Sequence, residues 1–291
     1  MKKLTGMWVG LFLVFGGLSA VVAQEMSDGV APPPKVLVIQ REFIKPGKNG
    51  SLHQKTESAF VQAMTAAKWP SRYLAVESLS GQTRALFMIG YDSFAAWEKD
   101  NDAMRNNATL SAALDRAGIA DGDLLTAYDS SAYVYSEDLS LRAPVNIAQM
   151  RYFEISRFVV RAGHEKDWEA LVKLYKTGFE KASPKAHWAT YQSMYGVDNG
   201  GVYIVLNPMK SMAETDESFG DFKKFEATMG EAGMKKLGEL SALCIESSQT
   251  NLFMFSPKMS YPPDAWVKAD PTFWKPKMTA PAKKPEAKPA E

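Results

Sequence analysis

Apolar and polar positions alternate through KVLVIQREFI (residues 35–44), where Leu37, Ile39, Arg41 and Phe43 share one side and Glu42 points to the other, the signature of a half-buried strand. Directly afterwards the period switches to 3.6, since Leu52, Thr56, Ala59, Phe60, Ala63, Met64 and Ala67 recur at helical spacing. RYLAVESLS and RALFMIGY then read as two strands joined by SGQT. A helical region carrying Met104, Leu110, Ala113 and Leu114 follows, and a last strand lies around Ala132 to Tyr135.

The same succession recurs downstream. MRYFEISRFVV (150–160) opens it, Trp168, Leu171, Val172, Tyr175 and Phe179 give the helical stripe, and HWATYQSMY with VYIVLNP form a hairpin around GVDNGG. Phe219, Phe222, Phe225, Met229 and Leu237 mark a second helical region before a strand at Leu252 to Phe255. Laid on each other, Gly47 falls on Gly163 and Asp100 on Asp216 at an offset of 116, with Arg41 on Arg157 and Lys45 on Arg161. The turn FIKPGKNG thus has a counterpart in VVRAGHEK.

The predicted order is β-α-β-β-α-β, twice: an α+β chain of two tandem ferredoxin-like modules, 35–142 and 143–260. Helices cover one face of each four-stranded sheet, and the other face needs a cover. The economical solution is an intramolecular pseudo-dimeric α/β barrel formed by sheet-to-sheet packing, with a monomer expected because internal duplication replaces a two-fold interface.

The ends have a different character. Met1-Lys2-Lys3 followed by MWVGLFLVFGGLSAVVA has the basic and apolar regions of a secretory signal, residues 1–23, with cleavage expected after Ala23 and a periplasmic or secreted destination. No stable membrane span is expected after cleavage. Residues 24–34, with three consecutive prolines, read as a linker, and 261–291 as a Pro/Lys/Ala-rich tail whose Trp266, Phe273 and Trp274 can hold its first part against the body. Without Lys2 and Lys3 the 34 basic residues become 32, against 33 acidic, so no basic footprint for nucleic acid is present. The single cysteine, Cys244, excludes an internal disulfide and reads as a small core residue.

IQREFIKPGKNGSLHQ resembles the strand, Lys-Pro-Gly turn and helix opening of the dimeric α/β-barrel superfamily, which includes antibiotic-biosynthesis-monooxygenase-like, stress-responsive-barrel and NIPSNAP-like families. The resemblance implies a cavity that in relatives holds small organic molecules or haem. Fold does not decide function here.

Candidate chemistry is sparse. Of His53, His164 and His187, His164 follows the turn glycine, and a local pairing with Glu57 accounts for His53. Their dispersal gives no zinc spacing, and no metal or cofactor is expected; haem lacks a cavity-facing helical histidine. His187 opens a strand whose Trp188 and Tyr191 can line an aromatic pocket, and Tyr73 lies in the corresponding strand of the first half. Arg41 and Arg157 sit among apolar strand neighbours and each needs an acceptor, either a protein carboxylate or an acidic ligand. These six are the candidate ligand-binding residues. The sequence predicts an exported barrel that binds a small organic ligand, the alternative being a cofactor-independent monooxygenase-like enzyme using His187, Trp188 and Tyr191 on a small aromatic or carbonyl compound.

Overall fold

The computed structural model describes residues 30–197 and 201–275. The expected secretory signal (1–23), the start of the 24–34 segment, residues 198–200 of the second hairpin turn and the end of the tail lie outside these.

The β-branched and aromatic runs form strands β1 (Val36–Ile44), β2 (Tyr73–Ser78), β3 (Arg84–Tyr91), β4 (Leu125–Leu141), β5 (Tyr152–Val160), β6 (Trp188–Tyr195), β7 (Val202–Met209) and β8 (Ile245–Phe255). Between them run α1 (Ser51–Ala66), α2 (Phe94–Arg105), α3 (Ala108–Gly122), α4 (Glu165–Ala182) and α5 (Ala213–Cys244), and α6 (Asp264–Ala269) and α7 (Pro271–Trp274) end the described chain. The helical region after β3 is split: Asn107 caps α3 by accepting from the Leu110 amide at 3.0 Å. Its counterpart after β7 runs on as one element with a non-helical break at Gly230.

The eight strands close into one antiparallel barrel in the order β1-β3-β2-β8-β5-β7-β6-β4. Sheet-to-sheet packing was the expected route to a barrel. Instead the two sets of four strands hydrogen-bond edge to edge, through β2 with β8 and β4 with β6. Unpaired edges are the liability of an open sheet, and closure removes all of them.

The glycine turn of FIKPGKNG recurs in VVRAGHEK. Gly47 and Gly163 have φ of 77° and 84°, a region that favours glycine, and neither has a neighbour within 4 Å of a built Cβ. Backbone phasing, not space, explains them. The Lys45 amide donates to Leu124 O at 2.8 Å, and the Arg161 amide donates to Cys244 O at the same distance.

Inward positions of all eight strands form the main core, including Leu37 and Ile39, Leu74 and Val76, Leu86 and Met88, Phe153 and Ile155, and Phe253 and Phe255. The helices cover the outside, with Trp168, Leu171, Phe225, Leu237 and buried Cys244 packed in the second half.

One end of the barrel is stoppered by the segment after β8. Trp274, 3% exposed, joins the main core, lies 6.3 Å from Phe255, and donates from Nε1 to Ala148 O at 2.9 Å. Asp270 accepts from the Phe273 amide and pairs with Arg151, whose guanidinium lies 3.9 Å above the Phe273 ring. Trp274→Ala is expected to lower unfolding free energy by about 3–5 kcal/mol in urea denaturation, through the lost ring and an orphaned carbonyl. Phe219→Ala, at a position 68% exposed, should change it by less than about 0.5 kcal/mol.

Candidate functional site

The barrel interior is apolar at the end where β1 and β5 begin, and polar at the end where they finish. At the apolar end a cavity of about 800 Å³ opens between the strands and the C-terminal stopper. Leu37, Leu74, Met88, Phe153, Tyr191 and Leu206 form its inner wall, and Trp266 contributes from the stopper. Residues 31–34 run along another side, where Pro34 packs on Gly90 so closely that a Cβ there would meet its ring carbons at 2.8 Å. A volume of this size and lining suits a small, mainly apolar molecule.

Four of the six candidates line this cavity, and they do so in different ways. Tyr191 is buried, lies 5.5 Å from the Tyr135 ring, and its hydroxyl makes no hydrogen bond to another described residue. Burial, with Tyr135 beside it, pushes that phenol well above its usual range, so it stays protonated and can donate. Trp188 falls on the opposite face of β6, where Nε1 donates to Leu139 O at 2.8 Å and the indole meets Phe179 edge-on. His187 has both ring nitrogens on backbone carbonyls, Nδ1 on Lys185 O and Nε2 on Pro208 O, each at 2.8 Å. With both nitrogens against backbone carbonyls, the ring ties the start of β6 to the end of β7.

Arg41 and Arg157 belong to the other end of the barrel and are not in the cavity wall. Arg41 is satisfied within the protein: Nε pairs with Asp129, Nη2 donates to Ser131 Oγ at 2.8 Å and Nη1 to Tyr133 Oη at 3.2 Å. Arg157 is exposed and has no ion-pair partner among the described residues. Burial and the neighbouring Arg41 pull the Arg84 guanidinium down from its ordinary value.

Tyr73, the fourth cavity residue, leads outward. Its ring packs against Phe87 and Tyr261, and its hydroxyl is buried without a partner. Burial, then Glu57 and Glu42, raise its pKa. These carboxylates belong to a group that spacing alone did not single out: Glu42 on the outer face of β1, His53 and Glu57 one turn apart on α1, and Asp121 at the end of α3.

His53 is fully buried and does not form the expected local pair with Glu57; its Nε2 lies 3.0 Å from Glu42 Oε2 and 3.5 Å from Asp121 Oδ1. Asp121 Oδ1 also accepts from Thr56 Oγ1 at 2.6 Å. Glu57, 3% exposed, has an unpartnered Oε1, and its carboxyl is pushed up to about 10 by burial, then by Glu42 and Asp121. No metal was expected from the dispersal of the histidines; the fold brings four side chains of metal-ligating type from three elements together. The signals in the sequence were Glu42 out of phase with its strand's apolar side and the His53–Glu57 i,i+4 pair.

No protein-family model and no curated protein matches the chain. Solved structures do match it. A candidate monooxygenase from Fusobacterium nucleatum subsp. nucleatum is 9% identical with a TM-score of 0.50, over 77% of this chain and 93% of its own. An anthrone oxidase-like protein is 14% identical with a TM-score of 0.50, over 76% of this chain and 92% of its own. Chlorite dismutase from Candidatus Nitrospira defluvii in complex with imidazole reaches a TM-score of 0.44 at 10% identity, over 81% and 95%. At these identities the likeness is one of fold, to dimeric-type α+β barrels.

A raised carboxyl pKa has a stability consequence whose sign is fixed. Glu57 ionises near 4.5 when unfolded and near 10 when folded, so its contribution is full below about pH 4.5 and is lost as pH rises toward 10. The charged or titratable groups facing it are Glu42, His53, Asp121 and Tyr73. Chelator-treated protein should therefore lose stability across that window, and Glu57→Gln should flatten the loss; an unchanged slope in a pH series of urea melts would reject this assignment.

Proposed function

We propose that the protein is an exported barrel that binds, without transforming it, a small organic molecule in the cavity beside Tyr191. The observation that carries this reading is an apolar chamber of about 800 Å³ with an unpaired phenol in its wall. Apolar walls supply affinity, and the Tyr191 hydroxyl supplies direction, donating to an acceptor such as a carbonyl. Export, to the periplasm or beyond, is supported by the basic and apolar leader of residues 1–23.

The same reading takes the two halves as tandem ferredoxin-like modules related by a pseudo-two-fold along the barrel axis. Its support is the repeated element order, the equivalent seams β2–β8 and β6–β4, and the repeated glycine turn. One chain then supplies both halves of a barrel, and a monomer is the expected state. Light scattering of the purified protein should report one chain per particle at micromolar concentration; an obligate dimer would count against duplication as the substitute for an interface.

A cofactor-independent monooxygenase is the second reading, and the fold it shares with a candidate monooxygenase is what favours it. Such an enzyme needs a base against its substrate, and the histidine nearest the cavity has both nitrogens occupied by carbonyls. Ligand binding therefore stands first. Native mass spectrometry of the protein as purified should find a small molecule that is lost in Ala189→Phe, which fills the chamber, and weakened by Tyr191→Phe at a stability cost of less than about 1 kcal/mol. Retention of the molecule in both variants would sink the cavity assignment, and oxygen consumption with the released compound would favour the enzyme.

A further inference from the structure

We propose that Glu42, His53, Glu57 and Asp121 bind one divalent transition-metal ion that clamps α1 and α3 onto the outer face of β1. One donor atom from each side chain lies within 4.8 Å of all the others. A metal with bonds of about 2.1 Å in tetrahedral geometry spaces its donors by roughly 3.4 Å. The distances from His53 Nε2, 3.0 Å to Glu42 and 3.5 Å to Asp121, are already of that size.

Charge accounting points the same way. Three buried carboxyl groups share one imidazole, and none of them is paired with a lysine or arginine among the described residues. Glu57 is the second, independent observation: it is almost completely buried, and its Oε1 has no hydrogen-bond partner among the described residues. Three acidic groups buried this close together are costly to ionise without a cation among them. A divalent cation satisfies all three at once, with Nε2 of His53 as the fourth donor.

The donors also select the ion. One nitrogen and three carboxylates suit Mn²⁺, Fe²⁺ or Zn²⁺, whereas Ca²⁺ takes six to eight oxygens and Mg²⁺ keeps several waters. All four ligands come from the protein and are buried, so the site is closed and structural, with no open position for a substrate. It is independent of what the barrel cavity holds.

The full chain, stripped with a chelator, is titrated with Zn²⁺ and separately with Mn²⁺ by calorimetry, and its thermal midpoint is followed. One ion per chain and a higher midpoint are expected. Glu57→Gln, which keeps the side chain's shape, should weaken binding at least tenfold while the far-ultraviolet dichroism stays that of the parent. Should that variant not fold, paramagnetic resonance of Mn²⁺ with the parent protein decides, because a site-bound ion loses the free-ion spectrum in proportion to protein. No stoichiometric binding by the parent, equal affinity in folded Glu57→Gln, or tighter binding of Ca²⁺ or Mg²⁺ would overturn the proposal; in the first case the carboxyls hold one another through shared protons. Retention of a small molecule in the barrel cavity is read separately and is unaffected by any of these outcomes.

Discussion

Closure at two seams, β2 with β8 and β4 with β6, is the constraint from which the rest of this architecture follows. Eight strands in an open sheet would leave two edges and one bare face, whereas in a barrel every strand has two neighbours and the inner face becomes the core. An eight-stranded barrel is just wide enough for side chains to fill, so any internal chamber has to come from small residues or from an unfilled end. Ala189 and Ala143, both lining the cavity, meet the first requirement, and the segment after β8 shapes the second.

Closure also divides the interior chemically along its axis. Inward positions of β1 run Leu37, Ile39, Arg41, and those of β4 pass from Asp129 and Ser131 to Tyr133, so polarity grows toward the end where β1 finishes. The guanidinium of Arg41 is matched there by three protein groups, which makes it part of the wall. The opposite end is apolar and is closed by Trp274 and its neighbours, held by the Arg151–Asp270 pair. A chain that ended its order at β8 would leave this end open to water.

Strand phase, helical stripes and the duplicated glycine turn were legible because each is a local pattern: RALFMIGY and the observed β3 coincide residue for residue, and β1, β5, β6 and β7 differ from expectation by a residue or two at their ends. Closure by edge pairing was not legible, since nothing local in YLAVES names NLFMF as its partner. The same limit governed the sites. His187 was visible as a strand-opening histidine beside aromatics, but its carbonyl partners, Lys185 and Pro208, carry no side-chain signal. His53 was explained by the nearest acid in sequence, Glu57, when its partners are Glu42 from the preceding strand and Asp121, far along the chain on another helix. Proximity in sequence proposes a partner; burial decides it.

Because strand residues alternate, β1 carries two unrelated chemistries one residue apart: Arg41 faces the barrel interior and Glu42 faces α1. β2 does the same at its start, where Leu74 enters the inner core and Tyr73 stands outside it, with atoms on the cavity wall and a hydroxyl near the carboxylate group. The outer cluster therefore sits behind strands that shape the chamber without adding a polar group to its inner wall. Glu42 and Tyr73 thus lie on the same strands as Leu37 and Leu74, which face the chamber, so the two sites share a scaffold while presenting separate surfaces.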